Sequence, residues 1–208
     1  MRQVSDLQPT DMQNLLNSEG RTMEKNENQR VRHTKEMLMD ALTEMLLEMP
    51  IQDVSIVELC RRAGINRATF YYHYGNQYDL LEEISDTFLD SISTRLSSAE
   101  PGSRESVLEK VTMVLSYMEE HIHLSRLLMN NMIDPGFVYR VLSLPEIPGL
   151  LVTYHHDQTD SQHQYEADIF AVSGSYRLLQ LWINDDHRKS AREEAALILN
   201  LAGKVYRS

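Results

Sequence analysis

The sequence lacks the features of secreted and membrane-spanning proteins. Its 208 residues contain one cysteine, Cys60, which excludes an internal disulfide framework and a cysteine-rich zinc site. There is no run of about 18 uninterrupted apolar residues, and the N-terminal segment has no apolar block of the kind that a signal peptide requires. These absences predict a soluble protein of the reducing cytoplasm, with no membrane partner.

Basic residues are also scarce, since 20 Lys and Arg stand against 31 Asp and Glu, and the formal net charge is −11. Attraction to phosphates requires clustered Lys and Arg, so the overall charge argues against a general nucleic-acid binder. A small basic face on an otherwise acidic surface is still compatible with this composition. The grouped cations are Arg30, Arg32, His33 and Lys35 before the first predicted helix, and Arg61, Arg62 and Arg67 around a turn.

The apolar pattern is helical from Thr34 onward. Apolar residues recur in pairs four residues apart over residues 37–46, which predicts a first helix that ends near Pro50. Residues 1–29 are polar and carry only a faint apolar patch, so a flexible N-terminal arm is expected there.

The later residues repeat this helical pattern. Amphipathic stretches predict helices over about residues 77–97, 107–122, 123–132, 165–183 and 191–206. No segment alternates apolar and polar residues as a strand does. The predicted fold class is therefore all-α.

Two short helices around a glycine form the central motif. Ser55 and Glu58, three residues apart, predict a capping box at the start of a second helix that ends at Gly64. Gly64 suits the turn because glycine adopts left-handed backbone angles without steric cost. Asn66 suits the N-cap of a third helix that begins at Arg67. A helix-turn-helix places its second helix in the major groove of DNA while its first helix crosses the backbone.

The third helix carries an unusual number of aromatic and hydroxyl side chains. Its predicted outward-facing residues are Arg67, Thr69, Tyr71, Tyr72 and His73. Such side chains suit contacts with phosphates and base edges. Core packing is the favoured interpretation for Phe70 and Tyr74, and DNA contact is favoured for Arg67 and Tyr72.

These residues resemble the N-terminal motif of the TetR family over about residues 30–85. The matching residues are Ser55-Ile56, Leu59-Cys60, Ala63-Gly64-Ile65-Asn66, Thr69-Phe70-Tyr71-Tyr72-His73-Tyr74 and Asp79-Leu80-Leu81. The sequence departs from the family at Asn66, where a serine is usual, and at Ala68, where glycine is frequent. Gln77 replaces a lysine that touches phosphate in the family, which weakens the expected electrostatic attraction.

The resemblance implies three segments: an arm over residues 1–29, a three-helix helix-turn-helix domain over 30–76, and a helical effector-binding and dimerisation domain over 77–208. The implied partners are a palindromic DNA duplex, a second copy of the chain and an unidentified small-molecule effector, with repression as the commoner outcome. The implied DNA contacts are Thr34, Lys35, Ser55, Arg67, Ala68, Thr69, Tyr71, Tyr72 and His73, with Thr34 and Lys35 at the start of the first helix.

The C-terminal part is similar to small TetR-like regulators in its Gly-to-Trp helix. In the family the last two long helices pair with a second subunit, and this implies an interface at Gly174, Leu178, Leu181 and Trp182. An intrachain core explains Leu178 and Trp182 equally well. A pliable effector pocket is predicted at Met113, Tyr117, Met118 and Met129, with ordinary core packing as the alternative.

Other chemistry is weakly supported. No phosphate loop, nucleophile motif or convincing carboxylate pair occurs, so an enzyme is not expected, and no cofactor is implied. Cys60 is expected to be inert core. The alternative function is a TetR-fold co-regulator that has lost DNA binding and acts on a protein partner, as the net charge and Gln77 suggest. A metal site is also not expected at the histidine-rich loop formed by His155, His156, Asp157, Asp160 and His163, or at His121 and His123.

Overall fold

The computed structural model of the protein describes the backbone of residues 9–97, 103–130, 132–147, 150 and 164–205, with side chains from residue 29 onward except that of Gln164. Within these ranges the regular structure is helical and no strand occurs, which confirms the predicted all-α class. The helices are α1 (Pro9–Glu48), α2 (Ile56–Ala63), α3 (Arg67–His73), α4 (Gln77–Ser97), α5 (Arg104–Glu120), α6 (Ile122–Met129), α7 (Phe137–Leu142), α8 (Gln164–Asn184) and α9 (Ala191–Val205).

Helix α1 is longer than the apolar pattern predicted. Its helical backbone begins at Pro9, whereas the sequence placed the start near Thr34 and a flexible arm before it. The residues between Pro9 and Thr34 include many strong helix formers and no further proline, and a proline at the first helical position costs no hydrogen bond. The expected arm is thus corrected to helical backbone from Pro9. The spacing of apolar residues in a sequence reveals only helices that have an apolar stripe, so it does not detect a helical segment without one.

Helix α4 is shared by two buried clusters. The first cluster joins α1, α2 and α3 to the first half of α4 and to Leu127 of α6. The second joins the other half of α4 to the C-terminal helices. A movement of α4 therefore disturbs both clusters. The buried residues of α4 are Leu80, Leu81 and Ile84 in the first cluster, and Phe88, Ile92 and Leu96 in the second.

The turn between α2 and α3 has the predicted geometry. Gly64 adopts φ 67° and ψ 24°, in the left-handed region. The Ile65 N–H donates to the Cys60 carbonyl at 2.9 Å, so a free carbonyl at the end of α2 is satisfied. Asn66 caps α3, because its side-chain oxygen accepts from the Ala68 N–H at 2.8 Å. The turn thereby fixes the direction in which α3 leaves α2.

The capping box predicted at Ser55 and Glu58 is wrong. Ser55 occupies the N-cap of α2, but its side chain makes no capping hydrogen bond. The Glu58 carboxylate instead accepts from Arg61, at 2.6 and 2.7 Å, and from Arg62, at 3.1 Å. Charge-assisted bonds to guanidinium groups are stronger than a bond to a single neutral amide, so the arginines displace the box.

None of the helices in the described ranges is both long enough and apolar enough to cross a bilayer.

Replacing Gly64 with alanine tests the turn. The added Cβ meets only Met37 Cε, at 3.8 Å, so the cost arises from the positive φ and not from a clash. We expect Gly64→Ala to lower the free energy of unfolding by about 1 kcal/mol in urea titrations. Gly64→Asn is the matched control. Because asparagine tolerates left-handed backbone angles, this variant should lose less free energy of unfolding. Equal losses in the two variants would contradict this explanation.

Candidate nucleic-acid interface

Helix α3 presents one buried face and one exposed face. The Phe70 side chain is fully buried beneath it and anchors the helix to α1 and α2. On the opposite side Tyr72 is 82% exposed and Tyr71 is 50% exposed. Arg67 and Ala68 are also exposed, at the N-terminal end of the helix. Most of the residues predicted to contact DNA on α3 therefore share its solvent-facing side.

Contacts between rings restrain the aromatic side chains of α3. The Tyr71 ring meets the Phe70 ring edge to face, with centroids 5.4 Å apart. The rings of Tyr72 and His73 are 4.9 Å apart. Tyr74 is buried against Phe70, as predicted for both residues, and burial raises the pKa of its phenol above the usual value. The exposed tyrosines are thus held by contacts with their neighbours, which reduces the entropy lost on binding.

The other predicted contacts on this motif vary in exposure. Thr69 and His73 are half-buried, on the flanks of the exposed face. Ser55 is exposed at the start of α2. Because it makes no capping bond, its hydroxyl is available to a ligand at the end of the helix where backbone N–H groups favour anions. These positions are compatible with DNA contact.

Lys35 and Thr34 differ from the predicted arrangement. Both are half-buried in the interior of α1, and not at its start, because the helix begins at Pro9. The Lys35 ammonium donates to both oxygens of Glu83 on α4, at 2.8 and 3.0 Å. It also lies 5.6 Å from the centre of the Tyr74 ring. Any phosphate contact by Lys35 therefore competes with an ion pair between α1 and α4.

Carboxylates neutralise two of the three arginines around the turn. Arg62 donates to both oxygens of Glu48, each at 2.8 Å, and also to Glu58. Hydrogen bonds from Arg61 and then Arg62 lower the pKa of Glu58 to about 2. Arg67 has no ion-pair partner among the residues that the structure describes. Its charge is accordingly the one at this turn that is available to a polyanion.

The predicted pocket residues separate into two groups. Met118 and Met129 line an apolar cavity of about 130 Å³. Tyr117 packs against Phe88, with ring centroids 5.1 Å apart, and does not line the cavity. Met113 is 46% exposed on the outer side of α5, which corrects its assignment to a pocket. The sequence period identified α5 as amphipathic but not which of its methionines faces inward.

The predicted interface residues on α8 differ in their exposure to solvent. Leu181 is 54% exposed, Leu178 is half-buried, and a Cβ added at Gly174 meets nothing within 4 Å. Trp182 is buried, and its indole N–H donates to the Lys189 carbonyl at 2.8 Å. The intrachain alternative is therefore correct for Trp182. Exposed apolar residues that the sequence analysis missed are Tyr165, Ile169 and Phe170 on α8 and Leu201 on α9.

The remaining candidate sites are the histidine-rich segment, His121 and Cys60. The histidine-rich segment from His155 to His163 lies outside the described residues. Across the part of the chain that is described, no group of three His, Cys, Asp or Glu side chains is placed to hold a metal ion. His121 is exposed, with its ring 4.6 Å from that of Tyr117. Cys60 is buried in the first cluster, and burial raises the pKa of its thiol.

The arrangement of α2, Gly64 and α3 defines a helix-turn-helix protein of the DNA-binding class. A family model described as "Bacterial regulatory proteins, tetR family" matches residues 38–84, from the middle of α1 to the first half of α4. Residues 38–84 of this chain therefore match the tetR family model, as the motif predicted.

A relative in Bacillus subtilis (strain 168) has been given the description of an uncharacterized HTH-type transcriptional regulator, YxbF. It is 29% identical over 146 residues, which cover 67% of this chain and 36% of that protein. The matched region thus spans about a third of the length of this curated relative.

Solved structures share the fold at low identity. A TetR transcriptional regulator from Streptococcus agalactiae 2603V superposes with a TM-score of 0.64 at 17% identity, covering 86% of this chain and 98% of that one. The transcriptional regulator FadR from Bacillus subtilis gives a TM-score of 0.56 at 12% identity, covering 81% and 97%. These likenesses establish an N-terminal helix-turn-helix followed by a helical domain.

Acidification tests the arginine–carboxylate network. The pKa of Glu58 in the folded protein, about 2, lies below its usual value of 4.5, so the network stabilises the fold above pH 4.5 and loses this effect as the pH falls toward 2. We expect the difference in urea midpoint between the parent protein and Glu58→Gln to be largest above pH 5 and to close near pH 2. Asp53→Asn, which removes an exposed carboxylate outside the network, should show no such pattern. A constant difference across this range would contradict the assignment.

Proposed function

We propose that this protein is a transcription regulator that inserts α3 into the major groove of an operator and whose DNA affinity is changed by a small molecule. The observation that carries the proposal is the outer face of α3, where Arg67, Tyr71 and Tyr72 are exposed above the buried Phe70. Repression is the proposed outcome, as the commoner one in the family.

The contacts expected at this face are few and specific. An arginine that reaches a guanine edge with two hydrogen bonds contributes about 1–3 kcal/mol of discrimination. Tyrosine hydroxyls bind phosphates or bases, and the Ser55 hydroxyl lies at a helix end that suits a phosphate. Because Arg61 and Arg62 are paired with carboxylates, non-specific attraction to DNA should be weak. Such an interface depends on base contacts more than on net charge.

A second copy of the chain would supply the second recognition helix. Palindromic operators place half-sites about 34 Å apart, a helical repeat that a two-fold dimer matches. We propose the exposed apolar face of α8 and α9 as the contact, with Phe170 and Leu181 at 69% and 54% exposure. Leu201 of α9 lines the same surface groove as Phe170. The open space at Gly174 permits a close approach of the partner's helix.

Ligand binding in the cavity would be coupled to DNA binding through the helices that form its wall. Its lining includes Ile92 and Leu96 of α4 and Val141 of α7. The preceding residue of α7, Arg140, pairs with Asp86 of α4. A ligand that displaces α7 or α4 would thus shift the helix against which the helix-turn-helix packs, and it would favour one spacing of the recognition helices. The FadR structure was determined with stearoyl-CoA bound, so this fold can hold a small molecule.

A co-regulator without DNA binding is the second candidate. It is favoured by the net charge of −11 and by the engagement of Lys35, Arg61 and Arg62 with carboxylates. Such a protein would use the exposed tyrosines of α3 on a protein partner. Duplex binding separates the two candidates.

Selection from a random pool of duplexes tests the proposal. We expect the parent protein to enrich a palindromic site at moderate salt. Arg67→Ala and Tyr72→Ala should each weaken binding to that site by about 5- to 150-fold, the equivalent of about 1–3 kcal/mol. The matched controls are Arg192→Ala and Tyr139→Ala, which remove exposed side chains of the same types from the C-terminal half.

The results separate the candidates. Controls that bind like the parent, together with two weakened variants, would support α3 as the reader of DNA. Equal losses of affinity in the controls and the variants would contradict the proposed docking. Enrichment of duplexes that contain no palindrome would contradict it as well. No enrichment even at low salt would favour the co-regulator.

Introducing a negative charge on α8 tests the dimer. We expect the parent protein to sediment as a dimer, and Phe170→Glu and Leu181→Glu to sediment as monomers, because carboxylates would be buried unpaired at the contact. Tyr139→Glu changes an exposed side chain on α7 and should leave the dimer intact. A parent protein that sediments as a monomer at tens of micromolar would contradict this part of the proposal.

A further inference from the structure

The cavity in the second cluster has an aliphatic wall. It lies between α4, α5, α7, α8, α9 and the end of α6, with a volume of about 130 Å³. Its wall is formed by leucine, isoleucine, valine and methionine side chains, and the described lining contains no charged residue. Representative lining residues are Leu115, Met118, Met129, Leu179 and Ile198.

The two polar side chains in the described part of the lining already have hydrogen-bond partners. The Ser175 hydroxyl donates to the Ala171 carbonyl at 2.6 Å, within its own helix. The Tyr176 hydroxyl donates to the Met129 carbonyl at 2.5 Å, which ties α8 to the end of α6. Neither hydroxyl donor is therefore left to select a polar ligand.

Two charged groups, Glu146 and Lys110, neighbour the cavity but are not among its described lining residues. Glu146 accepts from Ser93 and Ser97 at 2.8 and 2.7 Å, next to the lining residues of α4. Lys110 is buried on α5 and interacts electrostatically with the same carboxylate. The charges of Glu146 and Lys110 offset each other, although the second Glu146 carboxylate oxygen is buried and accepts no hydrogen bond from the described residues. A charged ligand in the cavity would therefore lose its hydration without meeting an unbalanced opposite charge.

The volume of the cavity limits the size of the ligand that it can hold. An engineered apolar cavity of about 150 Å³ in another protein stays free of water and binds benzene. The present cavity, at about 130 Å³, is slightly smaller and is lined almost entirely by apolar side chains, so it is suited to one aromatic ring or a short branched alkyl group.

We infer that the cavity binds an uncharged, apolar group about the size of a benzene ring, and that ligands with a carboxylate or ammonium at this position are excluded. The inference names the chemical class for the effector site of the proposed function. It rests on that function only for the claim that the ligand regulates DNA binding.

Three probes of matched size test this inference on the full chain: toluene, benzoate and benzylammonium. Binding to the folded state raises the unfolding temperature by mass action. We expect toluene at about ten times its dissociation constant to raise Tm by about 3–6 °C. At the same concentration the two charged probes should leave Tm unchanged. A shift by benzoate as large as that by toluene would overturn the exclusion of charge and point to Lys110.

Cavity-filling variants locate the binding. Val111 and Leu179 are half-buried lining residues, so Val111→Phe and Leu179→Phe can place a ring in the cavity with modest strain. Each should abolish the toluene shift, and if one variant does not fold the other suffices. Met113→Phe is the matched control, because Met113 lies on α5 outside the cavity, and it should keep the full shift. A toluene shift that persists in the folded filling variants would overturn the site.

A parallel titration of the selected duplex distinguishes failure of this inference from failure of the proposed function. Toluene binding without a change in DNA affinity would support the ligand class and remove the effector role. Operator binding without any toluene shift would overturn the inference and leave DNA binding intact.

Discussion

The packing of α4 against two buried clusters is the constraint on which the rest of the structure depends. Its first half closes the core beneath α2 and α3, and its second half forms a wall of the apolar cavity. Close-packed interiors transmit small displacements because they have little free volume to absorb them. The cluster beneath α3 and the cavity thus lie against opposite halves of α4, and Arg140 joins α7 to this helix through Asp86.

An acidic protein can bind DNA if it restricts where its positive charge is available. Here carboxylates hold Arg61, Arg62 and Lys35, and they also fix the relative positions of α1, α2 and α4. Arg67 is left beside two exposed tyrosines, on a helix anchored by Phe70. This distribution lowers attraction to arbitrary DNA and makes the proposed affinity depend on a few base-edge contacts.

Local patterns predicted the features that depend on neighbours in sequence. The left-handed Gly64, the cap at Asn66, the burial of Phe70 and the ends of α8 and α9 follow from glycine, capping and apolar spacing. Contacts across the fold were not predictable in this way. Lys35 pairs with a carboxylate 48 residues away, and the helical backbone before Thr34 has no apolar stripe to reveal it. Whether Trp182 faces the core or a partner also depends on the packing of distant helices.

Photo-cross-linking from the centre of the proposed interface tests the central claim most directly. A photoreactive amino acid in place of Tyr72, irradiated with a selected operator duplex, should become covalently attached to DNA. The same amino acid in place of Tyr139, which is similarly exposed at 77%, should not. That result would place the outer face of α3 against DNA. Cross-linking at residue 139 but not at residue 72, with the duplex bound, would contradict the account.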